Sequence, residues 1–166
     1  MRNVVWSRVD DRLIHGEVVT AWTPSMNANC ILIVDDGVAA DTFNKRVIKS
    51  LAPAGVKVFV ITVEKAAERL VAEGKPGERI IVLTKSPIAF AQLIDAGVPI
   101  RQVNLGGMGI RGNRRPFVKN VSASPEEVDA IERMREKGVR VFYQLVPEQG
   151  VTEVDDAIIK KYRSEA

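Results

Sequence analysis

Short apolar runs of four to six residues alternate with amphipathic segments along nearly the whole chain, and that rhythm admits few folds. A strand buried on both faces reads as a continuous apolar run, and parallel neighbours need a crossover, usually a helix, between them. The pattern therefore predicts an α/β fold, a mostly parallel sheet with helices on both faces. Strands are expected at residues 4–9, 30–35, 57–62, 79–84, 101–105, 117–121 and 141–145, seven in all. Helices are expected at 16–23, 41–51, 64–73, 88–96, 125–137 and 154–163. In the second of these, Phe43, Val47, Ile48 and Leu51 are spaced to face the sheet. "SPEE" at 124–127 supplies a capping serine, a proline at the first helical position and acidic residues in the first turn.

At 166 residues the chain is long enough for one domain with a proper core, taken as residues 1–166, and too short for two ordinary ones. No apolar segment approaches the roughly 18 residues that span a bilayer, and no secretory signal pattern is present, so a cytoplasmic protein is expected. The single cysteine, Cys30, excludes an internal disulfide and a multi-cysteine zinc site, and reads as a small buried hydrophobe in "NCILIVDD". A net charge of +3 favours anionic ligands only weakly. "NLGGMGIRGNRRPF" at 104–117, with four glycines and three arginines and no periodicity, reads as a long loop of the kind that is usually functional or mobile.

Ligands of open parallel sheets bind beyond the carboxyl ends of the strands. A cleft is therefore expected where Asp10, Asp11, Arg12 and His15 follow the first strand, Asp35 and Asp36 the second, Thr84, Lys85 and Ser86 the fourth, and Gly106 and Gly107 the fifth. His15, the only histidine, sits on a strand-to-helix loop beside Gly16, with Arg8 and Arg12 upstream. A neutral imidazole is a good nucleophile toward phosphorus, and nearby guanidinium groups disfavour the imidazolium and match phosphoryl oxygens. Amides at the start of the following helix add a second anion-binding element. Asp10 and Asp11 can orient the imidazole tautomer, pair with the arginines, or serve as loop and capping residues. Trp6 and Trp22 read as core residues. Asp35 and Asp36 resemble half of a receiver-type pocket, but the third strand ends "FVITVEK" without the acceptor aspartate. Arg111, Arg114 and Arg115 lack an aromatic stacking platform, so nucleic acid is not expected as a partner.

"RVDDRLIHGEVVTAW", residues 8–22, resembles the phosphorylation-site segment of the IIB component of the mannose/fructose/sorbose class of the bacterial phosphoenolpyruvate-dependent sugar phosphotransferase system (PTS). "IVDDGVAAD", "APAGVKV", "NLGGM" and "LVPEQ" follow in the family's order. The resemblance implies a seven-stranded, mostly parallel sheet with one antiparallel strand. It also implies that His15 accepts a phosphoryl group from a phosphohistidine of the IIA component and passes it to a sugar imported through the membrane IIC and IID components, at whose surface the protein would associate peripherally. Arg8 and Arg12 match the arginines that assist transfer, and the δ nitrogen is the usual phosphorylated atom. No cofactor or metal is implied. Where the family commonly has glutamine after "HG", this chain has Glu17, expected to point away on the helix. The competing reading is a non-catalytic module that binds a nucleotide or sugar phosphate at the same cleft, although no G-x-G-x-x-G or P-loop pattern follows a strand.

Overall fold

The computed structural model describes residues 1–165. Its main sheet has seven strands in the order β3-β2-β4-β1-β5-β8-β9, where β1 is Val4–Val9, β2 Cys30–Val34, β3 Lys57–Ile61, β4 Ile80–Thr84, β5 Gln102–Leu105, β8 Arg140–Tyr143 and β9 Thr152–Glu153. All pairings are parallel except β8 with β9, so the expected α/β sheet with one antiparallel strand is what forms. The seven strands are not quite the expected seven. The segment 117–121 lies outside the sheet, because the chain reverses at Lys119, whose φ is 49°, and splits it into a hairpin of β6 (Arg115–Val118) and β7 (Val121–Ala123). β9, two residues long, takes the vacant edge.

Alternate residues of a strand point to opposite faces, and both faces are covered. Cys30, Leu32 and Val34 of β2 share one core with α4 (Val63–Val71), α5 (Pro87–Asp95), α6 (Pro125–Glu136) and α7 (Asp156–Ser164). Ile31 and Ile33 share the other with Val18 and Trp22, with Val38 of α2 (Asp36–Ala40) and with Ile48 of α3 (Thr42–Ser50). Residues 16–25 form a helical segment that is π-helical over Val18–Trp22 and ends in α1, Thr23–Ser25. Ser124 and Glu127 make a reciprocal capping box at the start of α6, as "SPEE" predicts. Cys30 is buried, and Trp6 and Trp22 stack in the core with ring centroids 4.8 Å apart.

One expectation fails. Only Ile48 of the α3 set is buried, while Phe43 is 78% exposed and Val47 and Leu51 are also exposed. The helix packs beside β3, and the preceding short helix α2, absent from the expected elements, contributes Val38 to the same core as Ile48. The two kinds of position separate in a stability measurement. Ile48→Ala is expected to cost about 2–4 kcal/mol in urea unfolding, whereas Phe43→Ser shifts stability by no more than about 0.5 kcal/mol.

Candidate functional site

The site is assembled around a buried arginine. β1 carries Trp6 and Arg8 on one face with Asp10 just beyond its end, and Arg8 is fully buried, an unusual place for a guanidinium unless its donors are matched. Its two terminal nitrogens are matched, while Nε has no partner. Nη1 donates to Asn104 Oδ1 at 2.6 Å and to the Gln144 carbonyl at 2.9 Å, and Nη2 donates to the Leu145 carbonyl at 3.1 Å and to Asp10 Oδ2 at 3.3 Å. Its plane lies 5.1 Å from the Trp22 ring centre. Burial disfavours the Arg8 charge and the Asp10 carboxylate supports it.

Asp10 is also fully buried, and every contact it makes is to a donor. Besides Arg8, it accepts from the Arg12 backbone N–H and Nε, both at 3.1 Å, from Arg12 Nη2 and the Gly107 N–H, both at 3.3 Å, and from His15 Nε2 at 3.0 Å. Burial opposes the Asp10 charge, but the hydrogen bonds from His15 and Arg12 overcome it and hold the carboxyl well below the ordinary carboxylate range. A carboxylate is acceptor only, so in the neutral ring Nε2 carries the proton and Nδ1 carries the lone pair.

His15 stands just before the helical segment, its carbonyl accepting from the Val19 N–H at 3.0 Å, with its side chain partly open to solvent. The loop that delivers it turns tightly, the Leu13 N–H donating to the Asp10 carbonyl, and Leu13 takes a φ of 57°. A left-handed leucine is costly, and the cost is met by burying Leu13 and Ile14 in the core. Arg12 is half exposed, the one guanidinium bound to Asp10 that reaches the surface. Glu17 is drawn to Arg12, its Oε2 lying 3.5 Å from Arg12 Nη2.

The glycine-rich loop, residues 106–114, closes over this cluster. A Cβ at Gly106 would lie 2.3 Å from the Arg8 guanidinium carbon, and one at Gly107 would lie 2.7 Å from Asp10 Oδ1. These glycines are thus neither a flexible connection nor a free cradle, because their missing side chains make room for the arginine and the aspartate. Of the roles open to Asp11, the structure gives it a loop role with arginine partners other than Arg8 and Arg12: it anchors this loop. It accepts from the Gly109 N–H and from Arg114 Nη1, each at 2.8 Å, and from Arg111 at 3.3 Å. Arg114 is buried and binds Glu127 through Nε at 2.8 Å and Nη2 at 2.9 Å, and Glu127 accepts from Ser86 Oγ at 2.8 Å. Burial raises the Glu127 carboxyl's cost of ionising, but Arg114, the Ser124 N–H and Ser86 reverse this and lower its titration.

The remaining sequence candidates are mostly scaffolding. Asp35 caps α2 at the Val38 N–H, and Asp36 holds the Val63 N–H. Thr84 is buried with its hydroxyl on the Ser86 carbonyl, and its own carbonyl receives the Asp10 N–H. Ser86 caps α5, and Lys85 contributes its carbonyl to Arg114. Gly16 has open space around it. Arg115 lies on the Tyr162 ring, 3.5 Å from its centre, so the three loop arginines do not form a free basic cluster. The expected strand-end residues line none of the cavities around Phe59, Lys57 and Pro99. Asn104, Gln144, Arg114 and Glu127 were not singled out as partners of the motif. "NLGGM" and "LVPEQ" flagged two of these neighbourhoods, while nothing in the local sequence ties Glu127 to Asp11.

Residues 4–166 match the family model described as the PTS system sorbose subfamily IIB component. The chain belongs to that family. A PTS system fructose-specific EIIB component of Bacillus subtilis is 37% identical over 147 residues, covering 89% of this chain and 90% of the relative. A PTS system mannose-specific EIIAB component of Escherichia coli K12 is 34% identical over 93% of this chain, which spans 48% of that longer protein. The crystal structure of the IIBSor domain of the sorbose permease of Klebsiella pneumoniae superposes with a TM-score of 0.85 at 30% identity, covering 99% of this chain and 98% of that one. This IIB chain therefore has a phosphotransferase role, and its single histidine sits among paired charges at the carboxyl edge of the sheet.

Two measurements follow. Gly106→Ala is expected to destabilise by about 1–3 kcal/mol through overpacking against Arg8, while Gly16→Ala stays within about 0.5 kcal/mol, both read from urea unfolding. Glu127 titrates lower folded than unfolded, so the unfolded chain binds more protons in the interval between. Stability is then present above the ordinary value near 4 and is lost as pH falls from there toward the folded value. Glu127→Gln should flatten this acid limb; an unchanged slope would remove the Arg114–Glu127 pair from the account.

Proposed function

We propose that His15 is the phosphoryl carrier of this IIB component, and that Nδ1 is the atom that bears the group. The observation that carries this is the 3.0 Å contact of His15 Nε2 with Asp10, which engages that nitrogen and leaves Nδ1 as the one with the lone pair. In the first transfer, the Nδ1 lone pair attacks the phosphorus of a phosphohistidine on the IIA component. The new N–P bond forms as the donor's N–P bond breaks, and the donor keeps that electron pair. The phosphorylated ring, still protonated at Nε2, is cationic, and the buried Asp10 carboxylate balances that charge. In the second transfer, a sugar hydroxyl presented by the membrane IIC and IID components attacks. The P–N bond breaks, Nδ1 recovers its lone pair, and the hydroxyl proton leaves to a base on the acceptor side or to water.

Phosphoryl transfer needs position and charge complementarity more than bond-making by the protein. Arg12 is the guanidinium in place to meet phosphoryl oxygens, aided by the first N–H groups of the helical segment. Arg8, wholly enclosed and engaged through both terminal nitrogens, is a positioning residue acting through Asp10. The open surface around the ring suits a donor and an acceptor that are both proteins, and Ile110, 74% exposed beside the Asp11 anchor, offers them an apolar contact. A IIA donor accords with the mannose-specific EIIAB relative, of which this chain corresponds to about half. No helix among the described residues is long and apolar enough to cross a membrane, so the association with IIC and IID is peripheral and the location cytoplasmic in this proposal.

Incubation with phosphorylated IIA should add one phosphate, acid-labile and alkali-stable, that maps to His15; His15→Ala should accept none. Phosphate found on another residue, or none with a competent donor, overturns the assignment. Arg12→Ala is expected to slow transfer by roughly 10–100-fold, the worth of a charged hydrogen bond of about 1.5–3 kcal/mol. Glu17→Gln releases Arg12 from a competing carboxylate and should shift the phosphorylation equilibrium toward the phosphorylated protein, as read by quantifying phosphohistidine at fixed donor.

A further inference from the structure

A second feature lies at the opposite edge of the sheet from His15. α4 is nine residues long, so it spans about 13 Å at 1.5 Å per residue and covers only part of the sheet margin beneath it. Lys57, Phe59 and Ile61 share one face of the marginal strand β3. Ile61 lies under Ala66 and Leu70, but Phe59, nearer the amino end, is 39% exposed. The gap left there is a pocket of about 280 Å³ whose interior is apolar: Phe59, Leu32, Leu70, Ile80 and the lone thiol Cys30. A neighbouring lobe of about 310 Å³ shares Arg2, Cys30, Phe59 and Lys75 with it.

The rim is cationic. Arg2, Arg69 and Lys75 line the inner lobe, and Lys57 joins Arg2 and Lys75 in the outer one. The acidic side chain present, Glu78, is neutralised by Arg2, whose Nε reaches both carboxylate oxygens at 2.8 and 2.9 Å. Arg2 is itself fixed by its backbone N–H on the Leu70 carbonyl. Arg69, Lys75 and Lys57 make no ion pair among the described residues. Three uncompensated cations thus surround an apolar hole of nearly ligand size, where typical small-molecule sites run from about 300 Å³ upward. Neither a sugar nor a free phosphate matches this lining, since neither has an apolar body to fill it.

We propose that this pocket binds a small amphiphilic organic anion, with its apolar body on Phe59 over Cys30 and its carboxylate between Arg69 and Lys75. The site is separate from His15 and does not depend on the phosphocarrier assignment. Octanoate is the probe. Amide NMR spectra of the isotopically labelled protein should show saturable shifts at Cys30, Phe59 and Ile80 at about millimolar octanoate or below, and maleimide labelling of Cys30, the only cysteine, should slow in parallel. Octylamine and inorganic phosphate should do neither. Arg69→Glu with Lys75→Glu, both at exposed positions, should weaken binding by roughly 10-fold or more through like-charge contact, whereas Arg12→Ala leaves it unchanged. Absence of saturation, equal binding of octylamine, indifference to the charge reversals, or shifts centred on His15 that vanish in Arg12→Ala would each overturn the proposal.

Discussion

The structure depends on keeping Arg8 and Asp10 charged inside the protein. Removing two such ions from water costs several kcal/mol each, and their attraction repays this only when the remaining donors and acceptors are also matched. Here the matching comes from four separate parts of the chain: Asn104 on β5, the carbonyls of Gln144 and Leu145 beyond β8, the Gly107 amide, and Arg12 with His15 on the loop after β1. The order β1-β5-β8 brings these parts together, because the strand beside β1 and the next one out carry the loops that supply the partners. Fold and site are in this sense one network. The cavity-free approach of Gly106 to Arg8 and the strained Leu13 turn are local costs that the network imposes.

Much of this was legible in the residue order. Apolar runs alternating with amphipathic segments pointed to the parallel sheet, since strands covered on both faces by crossover helices read this way. The failures share one cause, which is that a local pattern does not state what packs against it. The run at 117–121 has strand composition, yet Lys119 reverses the chain there. The stripe of Phe43, Val47 and Leu51 has the right spacing for a core face, yet all three stay exposed. At the site, the motif from Arg8 to His15 marked the chemistry and the resemblance named its family. The division of labour within it was hidden. Arginine is so rarely enclosed that Arg8 reads as a surface group, and adjacent Asp10 and Asp11 read alike until the turn after β1 sets one inward and the other toward Arg114, 103 residues away in sequence.

Family membership and geometry support each other at different levels. The comparisons establish which kind of component this is; the contacts of Asp10 say which atom of His15 is free and why. The separation of roles is also physical. If His15 carries the group between two different proteins, as proposed, its ring has to stay accessible, so the precision of the site cannot come from enclosure. It comes from below, through a carboxylate that fixes the ring and an arginine that fixes the carboxylate. Glu17, drawn to Arg12, marks where this chain departs from its family's usual residue within that arrangement.

The stacked pair Trp6 and Trp22 gives the molecule a built-in optical gauge. These are its only two tryptophans, and the Trp22 indole N–H donates to the same Leu145 carbonyl that receives Arg8. Their emission and near-ultraviolet circular dichroism therefore originate beside the arginine that supports Asp10 and the His15 ring, joined to it through one shared carbonyl, so native spectroscopy without any attached dye registers whether that foundation is intact.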